Sequence, residues 1–155
     1  MSEFAPLGIA SEDGESLHTF GPHMKVKLSS AATNGRVFLA VEETPPGSGP
    51  PLHVHAEQEE VFYVIAGHYR FQVGPQNIDA PAGTTAAVPR GTPHAFVNIS
   101  DKPSRLLFSL IPGLRAEECF RAMSRLPQDA PPDPAEMARI GSEYGMEFVG
   151  PPLKP

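Results

Sequence analysis

His53-Val54-His55, followed after four residues by Glu60-Val61-Phe62-Tyr63-Val64-Ile65-Ala66-Gly67, sets metal-ligand residue types against a strand. Side chains repeat every two residues along extended chain, so His53 and His55 share a face and can meet one ion. The apolar run Val61 to Ala66 reads as a buried strand that Gly67 ends. Glu60 opens that strand, within reach of the histidines across a tight bend. By parity Phe62 and Val64 face the same side as Glu60, while Tyr63 and Ile65 face away. His94 comes far down the chain, after Pro89-Arg90-Gly91-Thr92-Pro93. Three imidazoles and a carboxylate suit one divalent transition metal (Fe, Mn, Ni, Co, Cu or Zn) better than calcium or magnesium. Taken alone, a His-x-His pair is common, and Glu57, Glu59 and Glu60 also read as a solvated acidic turn.

Outward from this segment, short strands follow one another closely. Lys25 to Ser29 and Arg36 to Glu42 flank a Thr33-Asn34-Gly35 turn, and Thr44 to Pro51 is too rich in proline and glycine for helix or central strand. Tyr69 to Val73, Thr85 to Val88, His94 to Ile99 and Arg105 to Ile111 complete the set. With 14 glycines and 19 prolines among 155 residues, this spacing predicts an all-β fold, an antiparallel β-barrel or jelly roll. Two short C-terminal helices are expected as well. Ala116 to Leu126 places Cys119, Phe120, Met123 and Leu126 at helical spacing. Asp133-Pro134-Ala135-Glu136 supplies a cap, a first-turn proline and a capping-box glutamate for a helix carrying Met137, Ile140 and Tyr144. The reading is one domain over 1–155, with an irregular arm (1–23), a barrel (24–112), a helical cap (115–145) and a tail (146–155).

The net charge of −6, with no Lys/Arg cluster, argues against nucleic acid or an anionic membrane surface as partner. One cysteine, Cys119, permits no intrachain disulfide and no cysteine-rich zinc site. No apolar run reaches membrane-spanning length, and Met1 to Phe20 lacks the pattern of a signal peptide, so a cytoplasmic protein is expected.

The glycines and prolines around the ligands carry a resemblance. Gly47, five residues, His53-x-His55, four residues, Glu60, six residues, Gly67 is similar to the first signature of the cupin superfamily. Gly83, five residues, Pro89-x-Gly91, two residues, His94, three residues, Asn98 is similar to the second. Fifteen residues separate them, as in compact single-domain bacterial cupins, and the likeness runs from about Arg36 to Pro112. Thr84 departs from the aspartate many relatives carry there. Gly141 to Leu153 also resembles the tail of small quercetin dioxygenase-like cupins.

The resemblance implies a double-stranded β-helix holding one divalent metal on His53, His55, Glu60 and His94. The gap of six residues to Gly67 favours Glu60 over Glu59 as the carboxylate. It further implies a metal-dependent dioxygenase acting on a small phenolic or enediol-type substrate, with Glu60 also accepting the substrate proton. A metal-dependent isomerase or lyase, or a non-catalytic binding protein, uses the same site differently. Parity adds Phe38, Phe62, Val64, Phe96, Asn98 and Phe108 as cavity residues, giving a mostly aromatic pocket for a small molecule. A homodimer is expected, meeting through the arm before Met24 and the Phe120/Met123 face. His18, His23 and His68 lie outside the pattern.

Overall fold

A computed structural model describes residues 3–155. Eleven strands and two helices run in the order β1 (Glu15–His18), β2 (His23–Leu28), β3 (Phe38–Thr44), β4 (Pro51–His55), β5 (Glu59–Ala66), β6 (His68–Val73), β7 (Gln76–Pro81), β8 (Thr85–Val88), β9 (His94–Asn98), β10 (Ser104–Ile111), α1 (Ala116–Ser124), α2 (Pro134–Glu143) and β11 (Met146–Pro152). All pairing is antiparallel. One sheet has the order β1-β2-β3-β10-β5-β8 and the other β11-β4-β9-β6-β7. The strands thus form the two sheets of a jelly roll, with the core between their inner faces. No helix among the described residues is long and apolar enough to cross a membrane.

Alternation decides which side chains enter that core. On β3 Phe38, Ala40, Glu42 and Thr44 are buried, and on β5 Glu60, Phe62 and Val64 are, while Tyr63 and Ile65 stand exposed. Phe62, Phe71, Phe96 and Phe108 meet with ring centroids 5.0–6.3 Å apart in the packed centre. Burial of each such ring contributes about 1.5–3 kcal/mol. Gly67 sits between β5 and β6 at φ +86°, where a Cβ would meet Ser104 Oγ at 1.9 Å, so only glycine fits the turn.

Four readings of the sequence need correction. Part of the N-terminal arm is strand, because Glu15–His18 pairs with His23–Leu28. Gln76–Pro81, passed over between two turns, is a strand against β6. The tail 146–155 contains β11, whose Met146 and Phe148 lie beside His55 and His53; its weak alternation and three prolines (Pro151, Pro152 and Pro155) hid a strand that pairing with β4 stabilises. Pro51, assigned to the irregular loop, is the first residue of β4, a position where proline's missing N–H costs little.

The helices form a cover. Helix α2 is capped by Asp133, whose carboxylate accepts from the Ala135 amide at 2.9 Å. The reciprocal capping-box bond is replaced by a Glu136–Arg139 pair at 3.1 Å. Helix α1 ends at Ser124, two residues short of the predicted Leu126. Its buried Glu117 accepts the backbone amides of Ser30 and Ala31 at 2.9 and 3.0 Å, which ties the helix to the loop ahead of β3.

Candidate metal centre

His53, His55, Glu60 and His94 come together between the two sheets, all buried, with one ligand atom from each within 4.8 Å of the others. Register explains the meeting. His53 pairs directly with His94 across β4 and β9, His55 lies two residues along β4 on the same face, and Glu60 projects from β5 in the opposite sheet. Glu60 Oε2 faces His94 Nε2 at 2.8 Å and His55 Nε2 at 3.1 Å. His53 Nδ1 is 2.8 Å from the Pro51 carbonyl, and His94 Nδ1 is 2.9 Å from that of Thr92. A carbonyl only accepts, so both Nδ1 atoms carry the proton when the rings are neutral, and both Nε2 lone pairs point into the cluster.

The electrostatics suit a cation. Burial pushes His53 down to about 3, with His94 and His55 adding to the effect, so His53 is a neutral donor at physiological pH. Burial by itself would raise Glu60, yet His55 and His94 outweigh it and hold the carboxyl well below its ordinary value. Burial likewise opposes protonation of His94, and Glu60 more than offsets it, leaving His94 raised. His55 Nδ1 is buried with no hydrogen-bond partner among the described residues. Three imidazoles gathered around one ionised carboxylate, with an unsatisfied ring nitrogen among them, fit a divalent ion. These four residues form the site for one divalent metal.

Glu59, the competing carboxylate, points outward and pairs with the exposed Arg90 at 2.6 Å. His68 is likewise outside, against Asp79 at 2.7 Å, and His18 and His23 stack on each other at 4.6 Å.

The ligands open onto a cavity of about 520 Å³. Phe62, Phe96 and Phe108 line it with His53, His55 and Glu60. Three residues expected there stand elsewhere. Phe38 is fully buried behind the wall, between Phe108 and Phe120 at centroid distances of 5.8 and 5.6 Å. Val64 has the inward parity but lies deeper, in the packed core. Asn98 is a structural tie: its Nδ2 donates to the carbonyls of Thr44 and Lys102 at 2.9 and 2.8 Å. Its Oδ1 accepts from the Ser100 amide and the Ser104 hydroxyl, both at 2.9 Å. With its amide fully used it pins the β9–β10 turn.

Other cavity residues were not anticipated. Phe120, Met123, Met137, Met146 and Phe148 come from the helices and β11. The Phe120/Met123 face, expected at a dimer contact, folds onto the chain's own core. Glu42 also lines the cavity, and the parity that placed Phe38 and Ala40 inward extends to it.

Burial raises Glu42 to about 7 from an ordinary 4.5, with Glu60's charge adding to it and the Thr44 hydroxyl opposing. A carboxyl more basic folded than unfolded stabilises the fold fully below pH 4.5 and loses that contribution as pH rises through about 7. Metal-free Glu42→Leu should therefore gain on the unmodified chain by about 3 kcal/mol across that window, at about 1.4 kcal/mol per pH unit. Denaturant unfolding at several pH values measures it, and a pH-independent difference would refute it.

This is the arrangement of a metal-binding β jelly roll: four buried donors on a rigid double sheet beside an apolar cavity. Comparison with known proteins places it further. Residues 40–110 match the family model described as the cupin domain, so this part of the chain is a cupin domain. It is 30% identical over 80 residues to an uncharacterized protein of Methanocaldococcus jannaschii, covering 52% of this chain and 64% of that protein. It is 28% identical over 85 residues to the polyketide synthase CurC of Streptomyces cyaneus, covering 55% and 54%. The alignments thus span less than two thirds of either relative. The crystal structure of a predicted oxalate decarboxylase from Thermotoga maritima shares the fold, with a TM-score of 0.62 at 22% identity over 68% of this chain and 98% of that one.

Proposed function

We propose that the protein is a metal-dependent dioxygenase acting on a small phenolic or enediol-type substrate. The observation that carries this reading is the opening of a buried His53/His55/Glu60/His94 site onto a cavity walled by Phe62, Phe96 and Phe108. A divalent ion supplies Lewis acidity toward a substrate hydroxyl or carbonyl oxygen. The chain does the rest. His53 and His94, held by backbone carbonyls, keep their donor atoms oriented without rearrangement. Glu60, ionised and dry, accepts the proton of the substrate hydroxyl at a carboxylate oxygen. The phenylalanines stack the ring and exclude water. Similarity to a protein named as a polyketide synthase supports the substrate class, because polyketide carbonyls enolise to hydroxyls of this type.

Oxygen consumption by metal-loaded protein, screened against flavonols and other phenolics, is the test. Substrate-dependent oxygen uptake is expected. Turnover without uptake would replace the reading with a metal-dependent isomerase or lyase, and tight binding without turnover with a non-catalytic binding protein.

We also propose a homodimer. With Phe120 and Met123 turned inward, the exposed apolar groups available to a partner include Leu7 and Ile9 of the arm and Tyr63 and Ile65 on the outer face of β5. Light scattering should give twice the chain mass of 16.6 kDa; a concentration-independent single-chain mass would reject it.

A further inference from the structure

Glu42 is 6% exposed, projects inward from β3 and lines the same cavity as the metal ligands without being one of them. Its Oε1 accepts the Thr44 hydroxyl at 2.9 Å, and Thr44 Oγ1 in turn accepts from the buried Tyr69 hydroxyl at 2.9 Å. That relay fixes the carboxyl in one orientation. Oε2 takes no hydrogen bond from the described residues and is not sealed in the core, so it stays accessible from the cavity that Glu42 lines. A carboxyl oxygen that is open to the cavity and takes no donor from the protein is free to accept a hydrogen bond from a ligand there.

The strand register shows where this oxygen stands. Strand β10 runs between β3 and β5, with Leu106 paired to Glu42 and Val64, Phe108 to Ala40 and Phe62, and Leu110 to Phe38 and Glu60. Glu42 and Glu60 therefore lie on strands either side of β10 and two inward rows apart. Phe108 occupies the row between them, and Ala40 beside it leaves room above the wall. The cavity thus has a polar group at each end and an aromatic surface in the middle.

We propose that Glu42 is the second polar anchor of the cavity, accepting a hydrogen bond from a hydroxyl at the far end of an aromatic or enolic substrate whose other oxygens meet the metal site. This rests on the cavity receiving a small molecule at that site, as proposed above. The lining charges favour such a ligand over a dicarboxylate. Glu42, Glu60 and Asp129 are acidic, and no lysine or arginine lines the cavity among the described residues. The burial that raises Glu42 favours a neutral hydroxyl over an ammonium as partner.

Two probes separate the anchor from the metal contact: unsubstituted flavonol, which offers only the metal-binding hydroxyl and carbonyl pair, and quercetin, which adds distal hydroxyls. Cobalt-loaded wild type, Glu42→Leu and Glu42→Gln are titrated without oxygen, following each probe's absorbance shift on coordination, with metal content and melting checked for every variant. Wild type should bind quercetin about tenfold tighter than flavonol, the scale of one buried hydrogen bond. Glu42→Leu should abolish that preference and leave flavonol binding within about threefold of wild type, a difference under 1 kcal/mol. Glu42→Gln keeps an acceptor oxygen and should retain part of the preference, so it reads the anchor even if the leucine variant does not fold. Equal binding of both probes by wild type, or an unchanged preference in both variants, would overturn the anchor while leaving the metal-site reading intact. Failure of both probes to bind cobalt-loaded wild type would overturn that reading and the anchor together.

Discussion

His94→Ala should bind divalent metal about 100-fold more weakly than the unmodified chain, or worse, and should lose stoichiometric metal on dialysis. Removing groups that merely orient a ligand costs about 10–100-fold in metal affinity, and His94 is itself a donor. The residue is 2% exposed on β9, its Nδ1 held by the Thr92 carbonyl and its Nε2 aimed at Glu60. Nothing nearby replaces that nitrogen, since His68 stands outside against Asp79. Elemental analysis after metal loading measures occupancy, and a chelator supplies the control. Metal that binds only the folded state at 100 times its Kd adds about 2.7 kcal/mol of stability, so stripping it should lower the melting temperature of the unmodified chain. The same treatment should leave His94→Ala unmoved. His68→Ala should keep full occupancy. One metal per chain retained by His94→Ala through dialysis would dismantle the four-donor site.

Glu60→Gln should retain part of its metal while losing turnover by about two orders of magnitude or more, the scale of a lost general base. The amide keeps the shape and one oxygen donor but has neither the charge nor the basicity. In the present geometry two imidazoles converge on Glu60 Oε2 at 2.8 and 3.1 Å, so the carboxylate is ionised and positioned before a substrate arrives. Glu59→Gln is the contrasting variant. Glu59 belongs to the other face of β5 and engages Arg90 at the surface, a pairing worth at most about 1 kcal/mol, so turnover should stay near that of the unmodified chain. Rates with the substrate found by oxygen uptake decide the matter. Near-normal turnover in metal-loaded Glu60→Gln would remove the base role, and a collapse in Glu59→Gln would reassign it.

The four metal donors were legible in the chain because they obey short-range rules. His53 and His55 share a face by strand parity, Glu60 heads the next apolar run, and Gly67 and Pro89-x-Gly91 mark the turns that return the chain to the same place. The choice of Glu60 over Glu59 rested on the six residues that separate Glu60 from Gly67 in the cupin-like signature. The all-β class was equally local, written in turn residues and alternation. Parity, however, says which side a residue faces and nothing about depth. Phe38, Val64 and Asn98 all face inward, yet one backs the cavity wall, one fills the core and one holds a turn, because depth depends on how two sheets and a helix close over them. Met146–Pro152 became strand through pairing with β4, a contact between segments about ninety residues apart that no local pattern encodes. The inward turn of Phe120 and Met123 was decided in the same way, since an amphipathic face specifies that it must be covered but not by what. Sequence alone thus determined the fold class, through turn residues and alternation, and the ligand set, through the spacing of the two cupin-like signatures. Tertiary packing decided the shape of the cavity, the burial of Glu42 within it and the surface left to a partner.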